Sequence, residues 1–305
     1  MRYKIYQLSF QNGVHFGNTS LDESLVTFSA DTLFSALFQE AIKAGKECAD
    51  WLYDAVSNGS LLLSDAFPFI DGRLYLPKPM VRPDIPDKSG DSVEKKAFKK
   101  LKYIPMEKLG DYMKGELNAQ KENSVMKKLA KGSMKTSAAI PEEDETRPYH
   151  IGTVYFGKGN GLYIITAVKS EEDESNLFEL LDMLSFAGIG GKRASGLGRF
   201  EIIREKEIDS IHFEKDSDWV MALNICLPRD SEIEEAMNGA KYQMCKRSGF
   251  VASENYAPEQ RKKKDLYMFT AGSCFRNRFE GDIFDVSDGG SHPVYRYGKP
   301  LFWAL

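Results

Sequence analysis

The sequence predicts an α+β fold organised as two domains, on three observations. The chain has 305 residues, of which 42% are hydrophobic and 12% aromatic, so it supplies enough apolar surface for two cores. Strand-like and helix-like apolar periods alternate through the first two thirds of the chain. The remainder consists mainly of short strand-like runs, which indicates a second domain richer in β-structure.

The first domain is predicted to span residues 1–208 in the order β-α-β-β-α-β. Its predicted elements are a strand at 1–10, a helix that Ser29 caps and Gly45 ends, a helical stretch near 48–56, short strands at 61–63, 69–70 and 74–75, strands at 149–156 and 162–168 about a glycine-rich turn, a helix near 175–187 and a strand at 200–204. The dipeptide Asp71-Gly72 is typical of a two-residue hairpin turn. This order of elements is typical of a ferredoxin-like domain, which is also the RRM scaffold.

A partly mobile insertion is predicted within the first domain at about residues 78–148. Prolines interrupt its beginning, a lysine-rich stretch follows, and four consecutive acidic residues at 142–145 close it. Residues 209–305 form the second domain, with strands at 220–227, 266–270, 273–275 and 294–305 and one short helix near 232–237. We interpret this second domain as a degenerate, β-rich copy of the ferredoxin-like unit.

Charge is strongly segregated along the chain. The formal net charge is −4, yet residues 91–135 contain twelve lysines against six acidic residues. Binding of phosphates depends on clustered cations, because the affinity comes from releasing counterions at each contacted phosphate. The lysine-rich stretch therefore fits a nucleic-acid surface, although a solvated charged loop has the same composition.

Several classes of protein are disfavoured by the composition. The four cysteines stand far apart without a C-x-x-C pair, which argues against a disulfide framework and a zinc cluster, and no cofactor motif is found. There is no apolar run of bilayer length, and the first ten residues alternate instead of forming a signal peptide. We expect a cytoplasmic protein with no bound metal and no membrane partner.

A glycine-rich loop between the helix near 175–187 and the strand at 200–204 is the main candidate site. Five glycines and three cations fall within thirteen positions without an acid, and the candidate RNA-binding residues are Gly188, Gly190, Gly191, Lys192, Arg193, Ser195, Gly196, Gly198 and Arg199. Glycine lets backbone N–H groups approach a phosphate, and the cations supply countercharge. The loop lacks the Walker spacing, and it follows a helix, which reverses the Rossmann order. A tight turn is the alternative interpretation.

The loop from Gly188 to Gly198 resembles the signature loop of the CRISPR RAMP superfamily, whose members use it on guide RNA. The stretches Val14–Gly17, Phe28–Leu37 and His292–Phe302 are similar to the two ends of one RAMP family, the subunits that cap the 5′ end of the guide RNA (crRNA) in type III-A (Csm) effector complexes.

This resemblance implies a non-catalytic subunit that holds the repeat-derived 5′ tag of crRNA. It also implies two protein partners, a large polymerase/cyclase-like subunit and a backbone RAMP subunit. A thumb-like hairpin is expected at about 131–155, where Lys131, Lys135 and Arg147 would contact phosphates and Met134 or Ile140 would wedge at a base step. The further candidate RNA contacts are His15, His292 and Arg296.

Two alternatives remain open at this point. RAMP relatives include metal-independent endoribonucleases that process precursor crRNA, and His15 or His292, with Tyr295 and Lys299, are candidate acids and bases. No two histidines stand at a spacing that forces them together, so the sequence supplies no acid–base pair. A protein scaffold whose basic insertion binds an acidic partner is the other alternative, and the glycine-rich loop disfavours it.

Overall fold

A computed structural model describes residues 1–17, 20–81, 92–139, 147–253 and 255–305. Within these residues the helices are α1 Ala30–Ala44, α2 Lys46–Ser57, α3 Ser92–Lys100, α4 Leu109–Met113, α5 Ala119–Met126, α6 Glu171–Ala187, α7 Ile211–Glu214 and α8 Ile233–Met237, with short 3-10 turns at Met106–Lys108, Arg193–Ser195 and Asp230–Glu232.

The strands are short except for those of the main sheet and one long hairpin. They are β1 Arg2–Ser9, β2 Phe16–Gly17, β3 Ser24–Leu25, β4 Leu61–Leu63, β5 Phe67–Ile70, β6 Arg73–Pro77, β7 Tyr103–Pro105, β8 Ala130–Ala139, β9 Arg147–Phe156, β10 Asn160–Val168, β11 Glu201–Ile208, β12 Val220–Ala222, β13 Met244–Arg247, β14 Leu266–Phe269, β15 Cys274–Phe275, β16 Ile283–Asp285, β17 Tyr295–Tyr297 and β18 Phe302–Ala304.

The main sheet is antiparallel and has the order β11-β1-β10-β5-β6-β7, with β4 also pairing with β10. Side chains of β1 and β10 alternate between two cores, as the period of a strand requires. Leu8 and Ile164 pack on one face with α1 and α6, whereas Ile5 and Ile165 pack on the other face with residues of the C-terminal part such as Trp303. The sheet is thus covered by helices on one side and by the C-terminal part on the other.

The structure confirms the predicted order of elements in the first part and changes two details. Asp71 and Gly72 have φ values of 50° and 78°, as the two-residue turn between β5 and β6 requires. Ser29 precedes α1 but makes no capping bond; instead the amide of Ala30 donates to Asp65 Oδ1 at 2.7 Å. The strands on either side of the 157–161 turn do not pair with each other, because β9 pairs along its whole length with β8.

The predicted insertion contains more regular structure than the prolines and lysines indicate. Leu101, Ile104 and Tyr112 form a small core with residues of α3 and α5, and β7 adds to the edge of the main sheet. The described remainder of the insertion belongs mainly to β8 and β9, which pair as a hairpin and carry the described residues of the predicted segment at 131–155. Ile140 and the acidic run at 142–145 lie outside the described residues.

The C-terminal part consists of three small antiparallel sheets, β15-β12-β18, β13-β14 and β16-β17, around aromatic residues such as Phe275 and Phe302. This agrees with the predicted β-rich composition. The domain boundary at 208/209 and the limits of the insertion stay predictions.

A buried ionic cluster joins the two parts. Asp31, near the start of α1, accepts two bonds from Arg247 of β13 at 2.8 and 2.9 Å and one from Arg296 of β17 at 2.7 Å. Burial alone would raise the pKa of Asp31, but the two guanidinium groups lower it below its usual range. Asp31 is therefore charged, and it holds α1 to the C-terminal strands.

A second carboxylate, that of the half-buried Asp65, lies beside this cluster, and no cation of the described residues is bonded to it. Its Oδ1 accepts from the amides of Ala30 and Ile225 at 2.7 and 3.0 Å. Burial raises the pKa of Asp65 to about 7 and the nearby charge of Asp31 adds to the rise, against the lowering effect of the two amides. Asp65 is thus the group in the joint that changes charge near neutral pH.

We predict that Asp65→Asn removes a pH dependence of stability. Between the unfolded pKa of about 4 and a folded pKa of about 7, the folded state holds a proton that the unfolded state has lost, so the wild type loses stability as pH rises. Asn keeps the amide-accepting oxygen and stays neutral. The difference in free energy of unfolding between the variant and the wild type should therefore increase by about 1–3 kcal/mol in favour of the variant as the pH rises from 5 to 8.

Urea unfolding at several pH values measures this difference, with Asp50→Asn on the exposed side of α2 as the control. A pH profile of Asp65→Asn that parallels the wild type would show that Asp65 is ionised in the folded state throughout.

Candidate nucleic-acid interface

The glycine-rich loop begins where α6 ends and folds back on itself. Gly188 ends the helix with φ 80°, and its amide donates to Leu184 O. The amide of Ile189 donates to Gly198 O at 3.0 Å, which closes the loop at its base. The segment between these points, including the 3-10 turn Arg193–Ser195, is half-buried to exposed, so the loop presents a tip to the surface.

The glycines of the loop base allow close packing of backbone on backbone. A Cβ at Gly198 would lie 2.0 Å from Ile189 O, and a Cβ at Gly190 would lie 2.6 Å from His15 O. The amides of Gly191 and Gly198 donate to His15 O and Gly13 O at 2.8 and 3.1 Å. The prediction that bare amides cradle phosphate is therefore corrected for Gly191 and Gly198, because their N–H groups are already bonded within the protein. By contrast, a Cβ at Gly196 would meet nothing within 4 Å, so this glycine lies open at the tip.

The three cations of the loop have different surroundings. Lys192 Nζ lies 5.0 Å from the ring centroid of Tyr149 in β9. Arg193 donates to Gln39 Oε1 at 2.8 Å and lies 3.7 Å from Glu40, so part of its charge is used to fix the loop to α1. Arg199 is exposed. Lys192 and Arg199 are thus the cations of the loop best placed for an external anion.

His15 is buried between the loop and the hairpin. It is 5% exposed, and its Nδ1 donates to Gly152 O of β9 at 2.6 Å, while its carbonyl accepts from Gly191. The amide of Val14 donates to the carbonyl of Val154, which is also in β9, and the amide of Val154 donates back to the carbonyl of Val14. His15 therefore connects the loop to the hairpin, and its burial does not support the predicted side-chain contact with RNA.

The hairpin presents one basic face. The register pairs Lys131 with Tyr155, Lys135 with Ile151 and Ala139 with Arg147, and directly opposed residues lie on the same side of a two-stranded sheet. Lys131, Lys135 and Arg147 are exposed on this face, which also carries Tyr149. Neither strand contains an acidic residue, and Tyr149 on this face lies beside Lys192 of the loop. The structure thus brings together the three predicted hairpin cations and one cation of the loop.

The opposite face of the hairpin carries Met134, which is 60% exposed, and His150, whose Nδ1 lies 3.2 Å from Thr136 Oγ1. An apolar side chain this exposed is available for stacking on a base. The wedge role predicted for Met134 stays a prediction.

The two candidates near the C-terminus lie apart from the loop. Arg296 is 6% exposed and bonded to Asp31, so the predicted RNA contact of its side chain is not supported by its position. His292 is exposed and its Nε2 lies 2.9 Å from Ser253 Oγ, with its ring edge-on to Tyr256. Neither has a recorded contact with the described residues of the loop or the hairpin.

Sequence reasoning missed Tyr149, Gln39 and Glu40 as neighbours of the loop. The signal for Tyr149 was present, since it follows Arg147 by two residues in a strand and therefore shares its face. No local signal exists for Gln39 and Glu40, because they reach the loop only through the packing of α1 against α6.

No group of three His, Cys, Asp or Glu side chains that could hold a metal ion occurs among the described residues. In the same part of the chain, none of the helices is long and apolar enough to span a bilayer.

The fold is shared with chains of solved CRISPR effector complexes. Over its whole length, this chain matches a chain of a Csm3-Csm4 subcomplex of a type III-A interference complex, with a TM-score of 0.69, 17% identity and 99% of that chain covered. It also matches a Csm1-Csm4 cassette solved with cA4, with a TM-score of 0.63, 19% identity and 98% coverage of that chain. At these identities the likeness shows the fold.

The sequence comparisons identify the particular family. Residues 215–305 match the model of the CRISPR Csm4 C-terminal domain. The chain is 36% identical over its whole length to the Csm4 protein of Mycobacterium tuberculosis (strain H37Rv), of which 98% is covered, and 40% identical to that of Streptococcus thermophilus, of which 99% is covered. The chain belongs to the Csm4 family, as the motifs at its two ends and in the glycine-rich loop indicated.

We predict that Gly198→Ala destabilises the protein more than Gly196→Ala. Both glycines have φ near 79°, which costs an alanine about 1–2 kcal/mol, but only a Cβ at Gly198 would also clash with the backbone at Ile189. Thermal unfolding should give a small decrease in Tm for Gly196→Ala and a clearly larger one for Gly198→Ala. Equal decreases would show that the loop base is not packed as described.

Proposed function

We propose that this chain is a non-catalytic subunit of a type III-A CRISPR (Csm) interference complex that holds the 5′ tag of crRNA in antiviral and anti-plasmid defence. The observation that carries the proposal is the acid-free basic face of the β8–β9 hairpin, with Lys131, Lys135 and Arg147, lying beside Lys192 of the glycine-rich loop. Membership of the Csm4 family supports the assignment to the complex.

The chemistry of this surface suits a single strand. Proteins bind single-stranded RNA by combining a track of cations for the phosphates with aromatic or apolar side chains for the bases. Here the cations of the hairpin and loop provide the track, and Tyr149 and Met134 provide such side chains on its two faces. The strand would follow the hairpin toward Lys192 and the tip of the loop at Gly196.

The arrangement of the histidines supports holding over cleavage. His15 is buried and bonded to Gly152, and His212 stacks on Trp303 at 4.5 Å. His150 and His292 are exposed, but each contacts a hydroxyl and neither has a second histidine beside it in the described part of the chain. General acid–base cleavage of RNA needs two groups within reach of the same phosphate.

Two protein partners follow from the family. Related Csm4 chains were solved with Csm3 in one assembly and with Csm1 in another. We propose that this chain likewise bridges the large polymerase/cyclase-like subunit and the backbone RAMP subunit, and that it does so in the cytoplasm without a membrane partner.

We further propose that residues 1–208 form a ferredoxin-like RAMP domain with a thumb-like insertion, and that residues 209–305 form a degenerate second copy. The order β11-β1-β10-β5 with α1 and α6 on one face supports the first of these assignments. The short antiparallel sheets of the C-terminal part support the second.

The direct test is to purify the complex that contains this chain and to sequence the ends of the RNA that accompanies it. We expect uniform 5′ ends derived from the repeat. RNA of mixed ends would contradict tag binding, and a complex without RNA would favour a protein scaffold.

We predict that Lys131→Ala combined with Lys135→Ala weakens RNA binding and flattens its salt dependence. Each lost phosphate contact on a single strand lowers the slope of log K against log salt by about 0.7, so the double variant should lose about 1.4. Filter binding of a tag RNA over a range of salt concentrations measures both quantities. Lys206→Ala combined with Lys215→Ala, at exposed positions elsewhere, gives the same change of net charge as a control.

If the affinity and the salt slope of the double variant equal those of the control variant, the hairpin lysines do not contact the RNA. Under the same conditions Lys192→Ala should weaken binding more than Gln39→Ala, which only loosens Arg193.

We also predict that the purified chain does not cleave repeat RNA in EDTA. The structure offers no pair of histidines around one phosphate in the described residues, so metal-independent cleavage should be absent over hours at neutral pH. Denaturing gels of end-labelled repeat RNA give the readout. Specific cleavage that is lost in His292→Ala or His15→Ala would instead identify a nuclease.

A further inference from the structure

A second basic site lies at the far end of the main sheet, where the sheet meets the C-terminal part. A cavity of about 540 Å³ opens there between the start of β1, the end of α2 and the segment that leads into β18. Its volume is within the range of small-molecule sites. Four cations line it, namely Lys169, Arg229, Arg278 and Lys299, against the single acidic residue Glu280.

Lys299 is the most unusual of these cations, because little of its side chain is exposed and no described residue bonds to its ammonium, which faces the cavity. The residue is 3% exposed and lines the cavity, and its ammonium makes no hydrogen bond or ion pair with any described residue. Its backbone is fixed, since Asn224 Nδ2 donates to Lys299 O at 2.7 Å and the amide of Leu301 donates to Asn224 Oδ1 at 2.7 Å. The ammonium is therefore held at the cavity wall by a fixed backbone and stays free to bond a ligand there.

The nearby carboxylates do not neutralise Lys299, because they are occupied by Arg229. Arg229 lies 2.9 Å from Glu280 and 3.6 Å from Asp282. Glu232, 4.0 Å from the same guanidinium, also accepts from three backbone amides, those of residues 229, 280 and 281. Burial lowers the pKa of Lys299 and Arg229 lowers it further, against the raising effect of these three carboxylates.

The remaining walls combine positive charge with flat apolar surfaces. Arg278 donates to Phe213 O and lies over the ring of Phe302 at 5.8 Å, which leaves its charge without a carboxylate bonded to it. Lys169 is exposed at the rim. Tyr3 and Phe213, which stack on each other at 3.9 Å, form an aromatic wall. This combination suits a ligand that has both a multiply charged anion and an apolar part.

We propose that this cavity binds a phosphate group, with Lys299 as its buried countercharge and with Arg278 and Lys169 as the outer contacts. Lysine and arginine side chains together are the usual protein ligands of phosphate. The group belongs either to a phosphorylated small molecule or to a nucleic-acid chain, and the test below separates the two sources.

This site is separate from the proposed tag-binding surface. Tyr3 stands at the start of β1, whereas the glycine-rich loop contacts residues 13–15, beyond the other end of that strand. The eight residues of β1 span about 26 Å. The inference therefore does not depend on the proposed function.

The test compares wild type with Lys299→Met, using the full chain. The probes are inorganic phosphate, pyrophosphate, 5′-AMP and a short single-stranded RNA, measured by calorimetry and by their effect on Tm. We expect at least one probe to bind wild type and to bind Lys299→Met about tenfold or more weakly. Without any probe, the Tm of Lys299→Met should stay close to that of wild type, because the ammonium has no hydrogen bond or ion pair with the described residues that the substitution would remove. Lys206→Met on the exposed edge strand β11 is the control.

The sources are distinguished by which probes respond. Binding of the free anions or of 5′-AMP identifies a small phosphorylated ligand, whereas binding of RNA alone identifies a nucleic-acid phosphate. Lys169→Met, at the exposed rim, should weaken binding of the same probe by a smaller factor. It replaces Lys299→Met as the test variant if Lys299→Met fails to fold. The site is refuted if none of the probes binds wild type, or if Lys299→Met and Lys169→Met bind as tightly as wild type. Lys131→Ala combined with Lys135→Ala should leave binding of the free anions and of 5′-AMP unchanged, and Lys299→Met should still weaken RNA binding in that background, so failure here is distinct from failure of the tag-binding proposal.

Discussion

The joint between the two parts of this protein depends on one buried carboxylate, that of Asp31. Two guanidinium groups from different C-terminal strands bond to it, and each lies far from Asp31 in the sequence. A buried charge is tolerated only when its partners are in place, so the cluster requires β13 and β17 to dock correctly on α1. Since α1 also holds Arg193 through Gln39, the same docking fixes one side of the glycine-rich loop.

The loop, the segment around His15 and the β8–β9 hairpin form one continuous structure. The carbonyl of His15 accepts a hydrogen bond from the loop, and its ring donates one to the hairpin. The backbone of Val14 also bonds to the backbone of the hairpin. The glycines are needed mainly because they let these backbones approach each other. The cations therefore lie on a rigid support whose geometry is set by main-chain bonds, and this suits holding a strand in one register.

The sequence predicts the local features well and the long-range ones poorly. Alternation in β1, the Asp71-Gly72 turn and the periodicity of α1 and α6 depend on neighbouring residues, and they are found where expected. Burial of His15 and Arg296 depends on Gly152 and Asp31, which are distant in the chain, so sequence alone placed both side chains on the surface. The helices α3 to α5 escaped prediction because short, lysine-rich segments beside prolines carry little periodic signal. The hairpin that carries Lys131, Lys135 and Arg147 was expected from the family resemblance, and their contact with RNA stays a prediction.

The length of the β8–β9 hairpin is independent of the register of the main sheet. The backbone pairing of its two strands is continuous from Ala130 and Phe156 to Ala139 and Arg147, and neither strand pairs with a strand of the main sheet in the described part of the chain. Adding two residues to each strand would extend its reach by about 7 Å. A change in the length of this hairpin would thus leave the register of the main sheet unaltered.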